Sequence, residues 1–404
     1  MKILGIETSC DETAAAVVED GRRLLSNVVA SQIDIHAAYG GVVPEVAARS
    51  HVEVIGPVIN QALNDADLTW DDIDGIAVTY APGLIGSLLI GTLAARTYSL
   101  IKNKPLYPVH HVEAHVYANF VTDDADSRVA RGWAAPTSSL REVGADRATG
   151  PETSDLRTNS ARIRNDGSGK ERLLLPSKQP EFPLLALIVS GGHTQLVLFR
   201  GHGDYELIGK TGDDAVGEAF DKVAKIIGLP YPGGPSIARA AELGDPKKYK
   251  LPKAKLSGSY DFSFSGLKTA VLRAVQREVG VDITFPSFEL VALLSEQQRN
   301  DFAASFQHIA VETLVDAAER AFTDYSPKSL VIAGGVAANK LLREKLSERL
   351  PLAIEYAPMA LCTDNAAMIA TLGYYQAIRT QPIDARTLEV IPSLSMTKTA
   401  WATT

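Results

Sequence analysis

Two histidines, His111 and His115, stand four positions apart in the run HHVEAH (110–115), directly after the short apolar stretch Pro105–Val109. On a helix that spacing puts both imidazoles on one face, about one turn apart. Two neutral nitrogens so placed can meet one divalent metal. The alternative is a pair of partly exposed histidines making ordinary hydrogen bonds. Three histidines within six residues, in a chain with 8 His, weigh towards the metal. A zinc protease would place Glu directly after the first His. Here Glu113 lies two positions on, about 200° around the helix from His111, and cannot reach the same face as a base.

The turns Val189-Ser190-Gly191-Gly192-His193, Tyr231-Pro232-Gly233-Gly234-Pro235 and Gly334-Gly335-Val336-Ala337-Ala338-Asn339 each follow an apolar run. Glycine lets backbone amides close around phosphate or ribose where a side chain would collide. Any one of these is compatible with a plain tight turn; three in one half of a chain point to a nucleotide. Asp221, in GEAFDK, falls on a helix, where a cleft carboxylate suits ribose hydroxyls and an exposed helical acid is the alternative. The turn Glu7-Thr8-Ser9-Cys10-Asp11-Glu12-Thr13 concentrates acids and hydroxyls. Glu7, Asp11 and Glu12 can polarise an attacking group or hold a metal-bound water. Asp364, in Thr363-Asp364-Asn365, can complete a His–His–Asp ligand set. From spacing alone, a helix N-terminal acid complementing the dipole is the preferred reading of Asp364. Cys362 beside it reads as buried filler.

The elements that must position these residues follow from patterning. Strand patterns at 2–7, 14–19 and 24–30, joined by short turns, make an antiparallel meander. A helix with Val52, Ile55, Ile59 and Leu63 on one face follows, with Pro57 inside it. Then come a strand at 76–80, a helix at 88–101, a strand at 105–109 and the histidine helix. The order β-β-β-α-β-α-β-α is that of a ribonuclease-H-like lobe. It recurs with strands at 184–189, 194–199, 205–209 and 330–333, a short strand at Leu352–Glu355, and helices at 217–227, after Ser295, at 337–350 and at 365–379. Ser295 and Gln298 are spaced as a capping box. The expected fold class is therefore α/β, with two ribonuclease-H-like lobes of the actin, sugar-kinase and heat-shock ATPase type facing across a cleft. Residues 1–122 form the N-terminal lobe, 181–380 the C-terminal lobe and 381–404 a tail. Between the lobes, 123–180 is rich in Ser, Thr, Gly, Asp and Arg without periodicity. It cannot bury enough apolar surface to offset its ordering entropy, so a disordered or loosely packed polar insertion is expected.

At 404 residues two lobes are the natural expectation, and an apolar share of 46% with 22% charged residues is that of a soluble globular protein. No window approaches the roughly 18 uninterrupted apolar residues of a membrane span. A strand-like run beginning at Ile3 leaves no room for a signal peptide, and two cysteines, Cys10 and Cys362, make no disulfide framework. A reducing, cytoplasmic setting without membrane contact fits. A net charge of −8 argues against general nucleic-acid affinity, so any RNA binding must rest on a local basic patch or a partner.

Taken together, GIETSCDETA (5–14), SQIDIHAAYGGVVPEVAARSHV (31–52), APGLIGSLLIG (81–91), HHVEAH (110–115), LIVSGGHTQL (187–196), GEAFDK (217–222), YPGGP (231–235), DFSFSGLKTA (261–270), GGVAAN (334–339) and CTDNAAMIA (362–370) closely resemble the family of threonylcarbamoyl transferases that modify tRNA adenosine 37, in its bacterial form. The resemblance implies a metal-dependent acyltransferase that moves the threonylcarbamoyl group of threonylcarbamoyl-adenylate to the adenine N6 and releases AMP. It implies one divalent metal ion per subunit, iron(II) or zinc, held by His111, His115 and Asp364. It further implies adenylate contacts from Ile188, Val189, Ser190, Gly191, Gly192, Asp221, Gly234 and Asn339. Asp11 or Glu12 would help orient or deprotonate the incoming amine. Such enzymes work with a paralogous non-catalytic subunit and a small ATPase. The competing readings are an actin-like or heat-shock-type ATPase, which leaves HHVEAH unexplained, and a non-catalytic partner subunit, which need not keep both histidines, Asp364 and every glycine turn.

Overall fold

The computed structural model describes residues 1–122, 164–165, 171–172, 175–254, 258, 260–352, 354 and 356–396. The span 123–180 expected as an insertion lies largely outside them. In the first half, β1 (Lys2–Glu7), β2 (Glu12–Glu19) and β3 (Arg23–Ser31) precede α1 (Ile33–Ala37) and α2 (Pro44–Asp65). They are followed by β4 (Gly75–Ala81), α3 (Ile85–Lys102), β5 (Leu106–His110) and α4 (His111–Tyr117). The sheet runs β3-β2-β1-β4-β5, antiparallel through the meander and parallel from β1 to β4 and β5. β4 is buried at every position, as a strand covered on both faces must be.

After the short pair β6 (Arg164–Asn165) and β7 (Glu171–Arg172), the pattern returns in β8 (Leu184–Val189), β9 (Thr194–Gly201) and β10 (Asp204–Lys210). Helices α5 (Val216–Ile227), α6 (Gly233–Ala241), α7 (Ser265–Glu278) and α8 (Glu296–Tyr325) follow, then β11 (Ser329–Ala333), α9 (Lys340–Arg349), α10 (Met359–Cys362) and α11 (Ala366–Ala377). The second sheet is ordered β10-β9-β8-β11, with β11 parallel to β8. Those four strands repeat the order of β3-β2-β1-β4, so the fold-level repeat expected from element order is present.

One difference has a local cause. The helix expected over 337–350 is split into a 3-10 turn at Gly335–Ala338 and α9, because the Asn339 side chain caps α9 by accepting from Leu342 N (3.1 Å). The strand expected at Leu352–Glu355 falls partly on residues outside the described set. The capping box is present: Ser295 Oγ accepts from Gln298 N, and Gln298 Oε1 accepts from Ser295 N (2.9 Å). Helices α6 and α7, which no periodicity announced, pack with α5 and α8 around Phe220, Phe302 and Phe306, all fully buried.

The last helix does not stay with the second sheet. α11 lies against β1, β2 and β4 of the first. Its backbone at Ala366 and Ala370 comes so close to Gly5 that any side chain there would collide, and Gly373 meets Ala77 in the same way. Residues Ala366–Gly373 are buried on all sides, which joins the larger apolar core of the two halves.

Candidate active site

The C-terminal ends of the parallel strands supply the first half of the site. β5 ends at His110, whose Nδ1 caps α4 by accepting from Glu113 N (3.4 Å). This fixes α4 so that His111 and His115 stack edge to face, ring centroids 4.6 Å apart. Asp364 arrives from the loop before α11, whose N-cap is Asn365 rather than Asp364. Asp364 Oδ1 lies 3.6 Å from His111 Nε2 and 3.2 Å from His115 Nε2. One ligand atom from each of the three falls within 4.8 Å of the others. Glu113 points elsewhere, towards Tyr80, Tyr117 and Tyr205.

The electrostatics fit a divalent cation. His115 is buried, yet neither of its ring nitrogens makes a hydrogen bond among the described residues, a cost that a metal bond would remove. Burial pulls the His111 pKa down, but the carboxylates of Asp364 and Glu7 outweigh it and hold the ring up at about 9. Burial raises the carboxyl of Asp364, yet His111 and His115 keep it well below the usual range. The two carboxylates thus demand a positive charge between them, and a proton on His111 supplies what a cation would.

The turn that carries Asp11 and Glu12 is held from three sides. Thr8 Oγ1 donates to Ser87 O (2.8 Å), Ser87 Oγ donates to Cys10 O (3.0 Å), and Leu84 N donates to Ser9 O (2.8 Å). His51 Nε2 lies 3.0 Å from the same Cys10 carbonyl, with Thr13 Oγ1 2.7 Å from its Nδ1. Residues 31–52 and 81–91 are therefore the clamp of this turn. Burial first, then the charge of Asp364 and Asp11, push the Glu12 carboxyl well above the carboxylate range. Cys362 is buried and bonded to Ala357 O, away from the cation cluster.

The second half of the site is built differently. Ile188 and Val189 are fully buried in β8, so they anchor the turn and leave Ser190, Gly191 and Gly192 to face outward. Ser190 Oγ accepts from His193 N (3.1 Å), and Gly217 N at the start of α5 donates to Ser190 O (3.2 Å). One turn along α5, Asp221 Oδ1 accepts from Gly233 N (2.6 Å), so this acid pins the second glycine turn. Asn339 caps α9 and donates from Nδ2 to Gln307 Oε1 (2.8 Å). A Cβ added at Gly191, Gly192, Gly234 or Gly335 would meet nothing within 4 Å. Each of the three turns thus presents bare backbone at one or two glycines.

The two halves face each other. His193 feels the charges of His111, His115 and Asp364, and burial together with those histidines holds it down at about 3. Tyr231, beside the second glycine turn, feels Asp221 from one side and Asp11 and Glu12 from the other. Sequence reasoning singled out neither His193 nor the tie between Glu7 and His111; both arise between residues far apart in the chain.

The family model for tRNA N6-adenosine threonylcarbamoyltransferase matches residues 23–130 and 171–371. A relative of that name from Thermomicrobium roseum is 47% identical over 386 residues, covering 94% of this chain and 93% of its own length. Another from Dehalococcoides mccartyi is 45% identical over 397 residues, covering 98% of this chain and 100% of its own. Among solved structures, full-length HypF in its phosphate- and nucleotide-bound form is similar at TM-score 0.49 and 12% identity, covering 93% of this chain and 46% of that one. A ROK hexokinase from Thermus thermophilus is similar at TM-score 0.39 and 15% identity, covering 94% and 99%. Likenesses of that size add nothing to the strand order described above. With the matched segments running through both sheets and through His111, His115 and Asp364, the chain belongs to the tRNA N6-adenosine threonylcarbamoyltransferase family.

Proposed function

We propose that the chemistry of this family, transfer of the threonylcarbamoyl group of threonylcarbamoyl-adenylate to N6 of tRNA adenosine 37, takes place here between the two facing turns. The observation that carries the reading is Asp364 closing on His111 and His115 opposite three bare glycine turns. His111, His115 and Asp364 would hold one divalent cation, iron(II) or zinc, which when bound supplies Lewis-acid polarisation of the donor oxygens. The amides of Gly191, Gly192 and Gly234 would receive the adenylate, with Ile188, Val189 and Ser190, whose own amide donates to His193 O, holding the first turn and Asp221 and Asn339 fixing the others. The adenine N6 attacks the carbamoyl carbon; a C–N bond forms, the C–O bond to phosphate breaks, and AMP leaves with the electron pair. Asp11 or Glu12 would orient the amine or take its proton, and burial together with the charges of Asp364 and Asp11 raises the proton affinity of Glu12.

Among the described residues no helix is long and apolar enough to cross a membrane, and a tRNA substrate is consistent with a cytoplasmic setting. An acidic chain needs help to meet tRNA. Lys250, Arg273 and Arg277 line a cleft of about 360 Å³, and we assign it to backbone phosphates. Lys250→Glu with Arg277→Glu should weaken tRNA binding about tenfold at ~0.1 M salt; unchanged affinity rejects that surface. The paralogous subunit and the small ATPase are the expected partners. A docking face for the former is offered by α3, whose Ile85, Leu89 and Leu93 are 61%, 41% and 50% exposed at i, i+4, i+8 beside Val52 of α2. Loss of co-purification with the paralogous subunit on Leu89→Asp checks it.

The deciding experiment is incubation with threonylcarbamoyl-adenylate and unmodified tRNA, followed by nucleoside mass analysis. Formation of threonylcarbamoyladenosine supports the reading. ATP turnover that survives removal of the cation, with no modified nucleoside, would favour the actin-like ATPase alternative.

A further inference from the structure

We propose that Glu7 is the positioning residue of the cation site: its carboxylate fixes the tautomer and the ring angle of His111, so that Nε2 is turned towards His115 and Asp364. This rests on the reading of those three residues as cation ligands. Glu7 closes β1, Thr79 lies in β4, and His111 begins α4 directly after β5. Parallel pairing of β1 with β4 and of β4 with β5 brings these strand ends to one level. Thr79 Oγ1 donates to Glu7 Oε2 (2.6 Å), and the same oxygen lies 3.1 Å from His111 Nδ1. Ser9 N donates to the other oxygen, Oε1 (2.5 Å), and Ser9 Oγ sits 3.1 Å from His111 Nδ1. Glu7 has no exposed surface at all.

A carboxylate buried so completely costs several kcal/mol unless it is paired and bonded. Three donors meet it here, Thr79 from β4, Ser9 from the turn after β1 and His111 from α4. Two of them, Thr79 and Ser9, lock its plane, and the third is the imidazole it is locked against. The fixed acceptor selects the tautomer with the proton on Nδ1, leaving the Nε2 lone pair free on the side of Asp364. That arrangement, in which a carboxylate holds the far nitrogen of a ligating histidine, orients the ring and raises its basicity. A purely structural ion pair between Glu7 and His111 would need no relation of the ring's far nitrogen to His115 and Asp364.

The test uses the full chain stripped of metal, titrated with Co²⁺ and followed by the cobalt absorption spectrum, alongside thermal unfolding. Wild type is expected to bind one Co²⁺ and His111→Ala to bind weakly. Glu7→Gln, folded as judged by its unfolding transition, should bind about 10- to 100-fold more weakly and with an altered spectrum. A folded Glu7→Gln with wild-type affinity and spectrum overturns the proposal, as does an effect confined to the unfolding midpoint. If Glu7→Gln does not fold, Thr79→Val takes its place: it keeps the carboxylate and removes one brace. A several-fold loss of Co²⁺ affinity is then expected, and no loss overturns the proposal. Failure of the wild type itself to bind Co²⁺ sinks the underlying cation site and this role with it, which separates that failure from the failure of Glu7 alone.

Discussion

The turn between β1 and β2 and the turn between β8 and β9 occupy the same place in two copies of one strand order, and they are made of opposite materials. Residues 7–12 carry three carboxylates and are tied down by bonds from three sides, so every side chain has an address. Residues 190–193 carry glycines whose space is empty. One hairpin holds charge in a fixed geometry; the other withdraws its side chains so that a large anion can come close to backbone. A fold duplicated within a chain can thus divide labour between reacting atoms and the group that carries them.

Removing the charge from the first half should have the largest effect. His111→Ala with His115→Ala should abolish metal content and lower transfer by roughly three orders of magnitude, about 4 kcal/mol, and should lower the unfolding midpoint too, because buried Glu7 and Asp364 lose their partner. Retained metal in the purified double variant rejects the ligand assignment. Filling the second half should separate the two roles. Gly191→Val with Gly234→Val should weaken adenylate binding about 10- to 100-fold while leaving metal content and stability near wild type, since a Cβ at either position meets nothing within 4 Å. Gly83→Ala should do the reverse of a silent change: its Cβ would lie 2.6 Å from Ser9 O, and a loss of about 1–3 kcal/mol on denaturant unfolding is expected.

A smaller effect concerns the seam outside both turns. His202 stacks on Tyr375 with centroids 3.7 Å apart and lies 3.1 Å from Tyr117 Oη. Burial and the charge of Arg379 hold it down at about 4, against the ordinary 6.5. The unfolded chain therefore binds the extra proton between those values. Stability from this group is complete above pH 6.5 and falls as pH drops towards 4, by about 2 kcal/mol after screening. His202→Phe should flatten that part of the acid limb; an unchanged slope of unfolding midpoint against pH counts against it. Deleting 126–177 should leave adenylate affinity unchanged, measured by calorimetry, because neither turn lies in that span.

Much of this site was legible locally. The His111/His115 spacing, the glycine turns and the Ser295–Gln298 cap are short-range patterns, and each sits where its pattern put it. Asp364 was legible only through the resemblance, because a lone acid before a helix has an ordinary explanation and the loop that delivers it crosses between sheets. The tie between Glu7 and His111 spans 104 residues and depends on parallel strand register, which no local periodicity encodes. α11 is buried all round, so it has no amphipathic stripe to say which sheet it will cover.

That crossing of α11 back to the first sheet bears on how the enzyme is born. A nascent chain has His111 and His115 early, but Asp364 is added only 249 residues after His115. Until then the N-terminal sheet lacks the helix that covers Gly5 and Gly373's partner Ala77, and the two histidines lack the carboxylate that closes on them. A chain cut short before α11 should therefore emerge with its first sheet uncovered and without the His–His–Asp cluster.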